Sequence, residues 1–218
     1  MNFYDKLAAT ALFQGMTNSE LMQVIGQTKF SFLRATPGKT IRREGESCQS
    51  MAFILDGKAS VTSFADDHGY SVEETVGAPV MMQPERLFGL TQRYTRTFAA
   101  VTACDIMEID KDDIMRLSDE FFIFRINLMN VLSTTSQKTE RHIWSPTPCD
   151  TRGRLAKFFK RHCTIPTGEK TIRIKMTRLA QEIGLGRLAV SKELNAMEEQ
   201  GLLAFSRGII NVPAIEKL

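Results

Sequence analysis

The sequence predicts an α+β protein: an N-terminal antiparallel β jelly roll (double-stranded β-helix), a long dimerisation helix and a C-terminal winged helix-turn-helix. Short apolar segments recur at about ten-residue spacing between Lys29 and Asp110, which is typical of a sandwich or barrel. One uninterrupted helical segment follows, and then two amphipathic helices precede a hairpin. We expect three parts, a jelly-roll domain with N-terminal helices over 1–118, the long helix over 119–144, and the winged helix over 145–218.

The N-terminal residues 3–26 are predicted to be helical, with a cap-rich start for a second helix at Thr17. The strands that follow are separated by glycine-containing turns such as Pro37-Gly38 and Gly45-Glu46. Asp56-Gly57 lies between two apolar segments and predicts a β-hairpin, because this dipeptide favours the tight turn that a hairpin needs.

Polar side chains gather in the segment between the middle and last strands. Pro84 to Gly89 is predicted to form a single helical turn inside the barrel. The segment could line a small-ligand pocket or could be a solvated loop, and the residues alone favour the loop. The candidate effector pocket consists of polar residues of this segment and of the long helix, namely Glu85, Arg86, Arg96, Thr97, Thr135 and Thr139.

The long helix, from about Glu120 to Ile143, is apolar on nearly every side in its first half. Such a helix must be covered all round, and a second copy of the chain can cover the side that the jelly roll leaves open. The seam spacing of a paired helix is found at Leu128, Leu132, Thr135, Thr139 and His142. The alternative is a core helix of a monomer.

A rigid break at Ser145-Pro146-Thr147-Pro148 separates the last domain, in which Asp150 is predicted to cap a first helix. Thr177 is predicted to cap the next helix, which Gly184-Leu185-Gly186 ends. A further helix is expected from Arg187 to about Glu199, with a hairpin around Ser206-Arg207-Gly208 after it.

One face of the helix that begins at Arg187 is polar. Its apolar face carries Val190, Leu194 and Met197, and the opposite face carries Arg187, Ser191, Lys192 and Asn195. Guanidinium, hydroxyl, ammonium and amide groups suit base edges and phosphates in a major groove, although a merely solvated face has the same pattern. Residues 145–218 hold 13 Lys and Arg against 7 Asp and Glu, a net charge of +6, whereas residues 1–144 carry −3. That asymmetry favours a polyanionic partner.

Several classes of protein are not expected. The sequence contains no apolar run of about 18 residues, so we expect no membrane span. The N-terminus lacks the layout of a signal peptide. Four widely spaced cysteines favour neither disulfides nor a zinc site and fit a reducing cytoplasm. The three histidines are too scattered to build a metal site, and no nucleophile motif or phosphate-binding glycine loop is present, so we expect neither a metal nor an enzyme.

The order of these elements resembles the Crp/Fnr family of bacterial transcription regulators over nearly the whole chain. The resemblance is carried by four segments, PGKTIRREGESCQSMAFILDGKASV from Pro37, Thr102-Ala103-Cys104 before Ile106, Asp150 to Leu155, and Ala180 to Leu203. It implies a homodimer that binds palindromic operators under the control of a small effector. Double-stranded DNA, a second copy of the chain and RNA polymerase are the partners it implies.

The resemblance also implies which residues contact DNA. The positions at which the family reads bases correspond here to Arg187, Leu188, Ser191 and Lys192. The best-known members of the family carry an acidic residue at the position of Leu188. Leucine cannot accept a hydrogen bond from cytosine, so we do not expect the usual operator. The remaining candidate contacts are polar or cationic residues around that helix, namely Asn195, Thr177, Arg178 and Arg207.

The effector site departs from the family pattern. Cyclic-nucleotide-binding members use a glycine-glutamate pair and then an arginine-serine pair, but here Glu85 follows a proline and Tyr94-Thr95 stands at the second position. We expect an unidentified small effector and no tight binding of cyclic AMP. No cysteine precedes Cys48, so the iron–sulfur cluster of oxygen-sensing members is not expected and no cofactor is predicted. The alternative function is a ligand-sensing adaptor whose winged helix binds protein.

Overall fold

The computed structural model describes residues 3–144 and 146–218, and leaves out the side chains of residue 139 and residues 141–144. Seven α-helices are found in these residues: α1 Phe3–Ala8, α2 Asn18–Gln27, α3 Lys111–Glu120, α4 Phe122–Trp144, α5 Thr151–Arg161, α6 Met176–Ile183 and α7 Arg187–Glu199. No helix within these described ranges is long and apolar enough to cross a membrane.

The paired strands are antiparallel, as the short strands at about ten-residue spacing predicted. They are β1 Phe30–Ala35, β2 Thr40–Arg42, β3 Ser50–Asp56, β4 Lys58–Phe64, β5 Tyr70–Gly77, β6 Val80–Met81, β7 Arg96–Ala100, β8 Cys104–Asp110, β9 Lys170–Ile174, β10 Ala204–Ser206 and β11 Ile209–Val212. The chain divides into two compact units, Met1–Ala59 with Val76–Ile143, and Ser60–Thr75 with Trp144–Leu218.

The first unit contains a four-stranded sheet in the order β1-β8-β3-β6, together with the β2-β7 pair, and is jelly-roll-like. Its strand β3 buries five consecutive residues, from Met51 to Leu55. The predicted hairpin at Asp56-Gly57 is wrong, because β3 pairs with β8 and β6 whereas β4 belongs to another sheet. A tight turn reverses the chain, but the partners of each strand are decided by contacts that are distant in sequence.

The helices at the N-terminus begin and end where local chemistry dictates. Thr17 caps α2 in a capping box: its hydroxyl accepts from the Glu20 N–H, and the Glu20 carboxylate accepts from the Thr17 N–H at 2.7 Å. The predicted start of a second helix at Thr17 is confirmed, but the first helix ends at Ala8 and turns occupy residues 9–15. These turns contribute the buried Leu12 and Phe13 to the core.

The long helix α4 follows α3 after a break at Phe121, whose backbone is extended. Leu128, the first residue of the predicted seam, is 8% exposed and is therefore covered within the chain itself. Phe122 and Met129, seven residues apart on one face, remain 63% and 56% exposed. The side chains of Thr139 and His142 lie outside the described residues, and pairing through this helix stays a prediction.

The second unit is built from two separate parts of the chain. Residues 60–75 form a hairpin, and its strand β5 pairs with β9 from Tyr70↔Ile174 to Glu74↔Lys170. Strands β11 and β10 extend the same sheet beyond β9. Val72 of the hairpin belongs to the core of this unit, which is formed mainly by α5, α6, α7 and the strands after them.

Helices α6 and α7 are joined by a tight turn in which Gly184 is left-handed, with φ of 66°. The predicted bounds of α7 and the predicted end of α6 at Gly184 are confirmed, but the predicted cap Thr177 is wrong. Lys175 takes the extended N-cap conformation and α6 already begins at Met176. Asp150 caps α5 as predicted, accepting from the Gly153 N–H at 2.9 Å. Arg207 and Gly208, both with positive φ, form the two-residue turn between β10 and β11.

Candidate functional site

The polar face of α7 is exposed because its opposite face is anchored in the core. Val190, Leu194 and Met197 are completely buried among the apolar residues of the second unit. That anchoring fixes the rotation of the helix, so that Arg187 and Lys192 face outward. Asn195 is exposed on the same face, and Ser191 is half-buried.

One acidic residue of α6 and one of α7 are paired with cations of the same unit. The Glu193 carboxylate lies 2.8 Å from Nε of Arg152 on α5. Glu182 of α6 lies 2.9 Å from Nε of Arg178. Since these carboxylates are paired elsewhere, the positive charges of Arg187 and Lys192 are not offset by them, and the face attracts anions.

Arg178, a predicted phosphate contact, is already engaged within the unit. Its Nη2 lies 2.9 Å from the carboxylate of Asp67, and its guanidinium lies 5.8 Å from the centre of the Tyr70 ring. Both partners belong to the 60–75 hairpin. The other two predicted contacts outside α7, Thr177 and Arg207, are exposed, and Arg207 stands at the tip of the β10-β11 turn.

In the first unit, a glutamine that was not singled out in the sequence organises the predicted effector segment. The Gln83 side-chain carbonyl accepts from the N–H groups of Thr95 and Arg96, at 3.0 and 3.1 Å. Its amide donates to the Thr95 hydroxyl at 2.7 Å. Gln83 is buried in a left-handed backbone conformation just before the 3-10 turn Pro84–Arg86. Two adjacent N–H groups that could receive an anion are thus occupied by a side chain of the protein itself.

The predicted pocket residues are only partly brought together by their contacts. Glu85 lies 3.5 Å from the Gln83 amide, and the Arg96 backbone reaches the same glutamine. The Thr97 hydroxyl instead accepts from the Glu44 N–H at 3.2 Å, and the Thr135 hydroxyl donates to the Val131 carbonyl of its own helix. Thr139 lies outside the described side chains.

Nε of Arg86, a buried donor of the first unit, has no hydrogen-bond partner within the described residues. The Tyr94 hydroxyl lies beside the Cys48 thiol and the Arg42 guanidinium, and burial raises its pKa well above the ordinary value. A guanidinium N–H is a permanent donor, so Nε of Arg86 suits a ligand that accepts hydrogen bonds. Within the described part of the chain, no cluster of three or more potential metal ligands is found.

We expect Cys149 to be the only one of the four thiols to react rapidly in the native protein. Burial raises the pKa of the Cys48 and Cys104 thiols and raises that of Cys163 to about 12, so each is held as the unreactive thiol. Cys149 is exposed. Timed labelling with iodoacetamide followed by mass spectrometry measures this, with guanidinium-unfolded protein as the control in which all four react. Fast labelling of Cys48 would contradict the expectation.

A buried ion pair in the second unit also escaped the sequence reasoning. Glu74 of β5 lies 3.1 Å from Lys170 of β9, and both side chains are almost completely buried. A signal for it was present, because Glu74 shares the face of Val72 and Val76, and Lys170 shares the face of Ile172 and Ile174. Two opposite charges on otherwise apolar faces predict a buried pair.

Comparison with known proteins places these sites in context. Residues 32–121 match the family model of the cyclic nucleotide-binding domain. The cAMP-activated global transcriptional regulator Vfr of Pseudomonas aeruginosa is 25% identical over 178 residues, covering 78% of this chain and 83% of that protein. The catabolite activator protein of Thermus thermophilus has a TM-score of 0.50 at 19% identity, with 93% of each chain covered. The c-di-GMP-responsive regulator CLP of Xanthomonas campestris has a TM-score of 0.49 at 15% identity, over 90% of this chain and 99% of that one.

Residues 32–121, most of which belong to the first unit, are therefore similar to a domain of the cyclic nucleotide-binding type with a jelly-roll-like fold. The chain as a whole is similar to transcription regulators of the Crp/Fnr type, in agreement with the resemblance seen in the sequence. The proteins it resembles are regulators rather than enzymes.

Proposed function

We propose that this chain is a homodimeric, DNA-binding transcription regulator of Crp/Fnr type that binds palindromic operators. Residues 145–218 act as its winged helix-turn-helix domain, with α7 as the recognition helix and the β10-β11 hairpin as the wing. Each half-site is read by one α7, and the two half-sites lie about one helical turn of DNA apart. Its partners are double-stranded DNA, a second copy of the chain and RNA polymerase, and it works in the cytoplasm.

The observation that carries this proposal is the exposed cationic face of α7. Arg187 and Lys192 point away from a core that holds the helix rigidly, and the nearby Glu193 is paired with Arg152. Arg187 suits the O6 and N7 acceptors of a guanine, and Lys192 suits a guanine or a phosphate. The similarity to Vfr, a transcriptional regulator by its description, supports the same role.

Selection from randomised duplex DNA with sequencing tests the proposal, at physiological salt and without added ligand. Enrichment of a two-fold symmetric motif supports a dimeric reader of sequence. If nothing is enriched, the selection is repeated with cell extract to supply an effector. A chain that enriches no motif in either condition is not a sequence-specific regulator.

We expect Arg187→Ala and Lys192→Ala each to weaken binding to the selected site by about 1–3 kcal/mol. Each substitution removes a base or phosphate contact and flattens the dependence of affinity on salt. The matched control is Arg173→Ala, which removes the same charge from the exposed side of β9. Fluorescence anisotropy titrations at several salt concentrations measure all three variants. If Arg173→Ala lost as much affinity for DNA as the α7 variants do, the effect would be explained by the change in net charge and not by contacts of α7.

Control by a small effector in the barrel forms the second part of the proposal. The buried Nε of Arg86, which has no partner within the described residues, supports a ligand that accepts hydrogen bonds. Cyclic AMP is not the expected ligand, since Gln83 occupies the N–H groups of Thr95 and Arg96 and a tyrosine stands where the family has its phosphate-binding arginine. The effector, bound in this unit, would shift the balance between two arrangements of the recognition helices.

Dimerisation through α4 is the third part of the proposal. Phe122 and Met129 leave a large apolar area uncovered on one face of this helix, and a second copy would bury it. Sedimentation equilibrium of the full chain tests this directly, and a monomer at micromolar concentration would contradict it.

The alternative function is an adaptor whose winged helix binds protein. The exposed Leu188 at the start of α7 is compatible with a protein partner as well as with DNA. The salt dependence of DNA binding separates the two, because a DNA reader loses affinity steeply as salt rises.

A further inference from the structure

Leu188 is the one large apolar side chain on the polar face of α7. Its side chain is 87% exposed, at the second position of the helix. Ser191, Lys192 and Asn195 follow it at spacings of three, four and seven residues, so they share its face. Leu188 therefore stands at the N-terminal end of the row of side chains that would face a major groove.

Packing within the unit does not account for a leucine at this position. Leu185 and Leu202 pack against the core of the second unit as partly buried residues, but among the described residues Leu188 is not part of that core or its margin. The anchoring of Val190 and Leu194 holds Leu188 on the outside of the helix. An exposed leucine between Arg187 and Lys192 would find its most favourable contact in a partner that offers both apolar and anionic groups.

Duplex DNA presents that combination in its major groove. Each thymine carries a C5-methyl group there, the only apolar group on a base edge, and phosphates flank it. Leucine neither donates nor accepts hydrogen bonds, so it cannot distinguish the other bases by their polar edges. The cations of Arg187 and Lys192 on the same end of the helix complement the phosphates.

We propose that Leu188 is a specificity-determining residue that reads the C5-methyl group of one thymine in each half-site. This inference rests on the proposed DNA-reading function and adds to it the class of base that α7 selects. An acidic residue at the same position would instead accept a hydrogen bond from the amino group of cytosine, so the leucine changes the operator that the chain reads.

Deoxyuridine substitution isolates the methyl group, because uracil differs from thymine only at C5. In the operator found by selection, each thymine is replaced in turn, symmetrically in both half-sites, and affinity is measured by anisotropy. We expect one symmetric pair of replacements to weaken wild-type binding by about sixteenfold, because each of the two buried methyl groups contributes about fourfold. The same replacement should change the binding of Leu188→Ala by less than about twofold, since the contact is already lost.

Arg187→Ala is the control variant, because it should lower affinity for every duplex while remaining sensitive to the deoxyuridine replacement. Circular dichroism checks that Leu188→Ala, an exposed substitution, keeps the wild-type melting curve. The inference is overturned if no thymine shows the effect, or if Leu188→Ala remains as sensitive as wild type. Both of those results leave sequence-specific binding intact, whereas failure of the proposed function would appear as the lack of any selected operator.

Discussion

Lys170→Met is expected to lower the free energy of unfolding by about 3–5 kcal/mol, and Glu74→Gln by a similar amount. Glu74 accepts from the N–H groups of Thr164 and Ile165 at 2.8 and 3.0 Å, and Lys170 donates to the Thr167 carbonyl at 2.8 Å. Loss of either partner leaves the other charge buried without its counterion. Urea unfolding of the full chain, followed by circular dichroism, measures both variants.

The neighbouring pair Glu73 and Arg173 provides a matched control on the same two strands. Its atoms are 3.6 Å apart and both side chains are substantially exposed. Glu73→Gln and Arg173→Met should therefore each cost no more than about 1 kcal/mol. The double variant Glu74→Gln with Lys170→Met should cost clearly less than the sum of its single changes, because no unpaired charge remains. Additive costs would contradict the buried pairing.

Gly57→Ala is expected to be the most damaging single glycine substitution in the jelly-roll-like unit. Gly57 has a φ of 94°, where an L-residue is strained by about 1–2 kcal/mol. A Cβ at this position would collide with the carbonyl oxygen of Ala103 and would lie 3.0 Å from Sγ of Cys104. Because Cys104 is fully buried in β8, the neighbours cannot yield cheaply, and the clash adds about 1–3 kcal/mol.

Gly45→Ala separates strain from collision. Gly45 has nearly the same positive φ, 83°, but a Cβ there would have no atom within 4 Å. It should show the backbone cost alone, so that Gly57→Ala is the more destabilised of the two by about 1–3 kcal/mol in urea unfolding. Equal losses from the two variants would show that Ala103 moves aside freely.

Features fixed by neighbours in sequence were the ones that could be predicted. The caps at Thr17 and Asp150 and the bounds of α7 all rest on residues within one or two turns of each other. The prediction of Thr177 as the N-cap was wrong because several neighbouring residues can be the last extended residue before a helix. In this structure that residue is Lys175. Such choices differ by small free energies that the packing of the helix decides.

Features fixed by distant parts of the chain escaped prediction. The Asp56-Gly57 turn was expected to close a hairpin, but β3 pairs with β8, whose residues are about fifty positions away. The position of Glu74 opposite Lys170 likewise depends on a register between strands that are nearly a hundred residues apart. Alternation identifies the strands, whereas their partners follow from the packing of the whole unit.

The residues of the candidate sites also divide into those that local sequence spacing could predict and those that depend on distant parts of the chain. Arg187 and Lys192 could be assigned to one face from helical spacing alone. Gln83 could not, because its role depends on a left-handed backbone and on N–H groups twelve and thirteen residues further along. Arg178 was assigned as a phosphate contact from its position, and that assignment stays a prediction; its ion pairs with Asp67 and Glu182 could not be foreseen from the sequence.

The part of the chain that contains α7 cannot be replaced by one continuous segment from a related protein. Its sheet and its core include residues 60–75, which are encoded within the jelly-roll region. A chimera that takes residues 145–218 from a related regulator would pair a foreign β9 with the native β5, and would lose the complementarity of Glu74 and Lys170. The two segments are therefore expected to be inherited together, and an engineered regulator with a new DNA specificity needs both grafts or substitutions confined to α7.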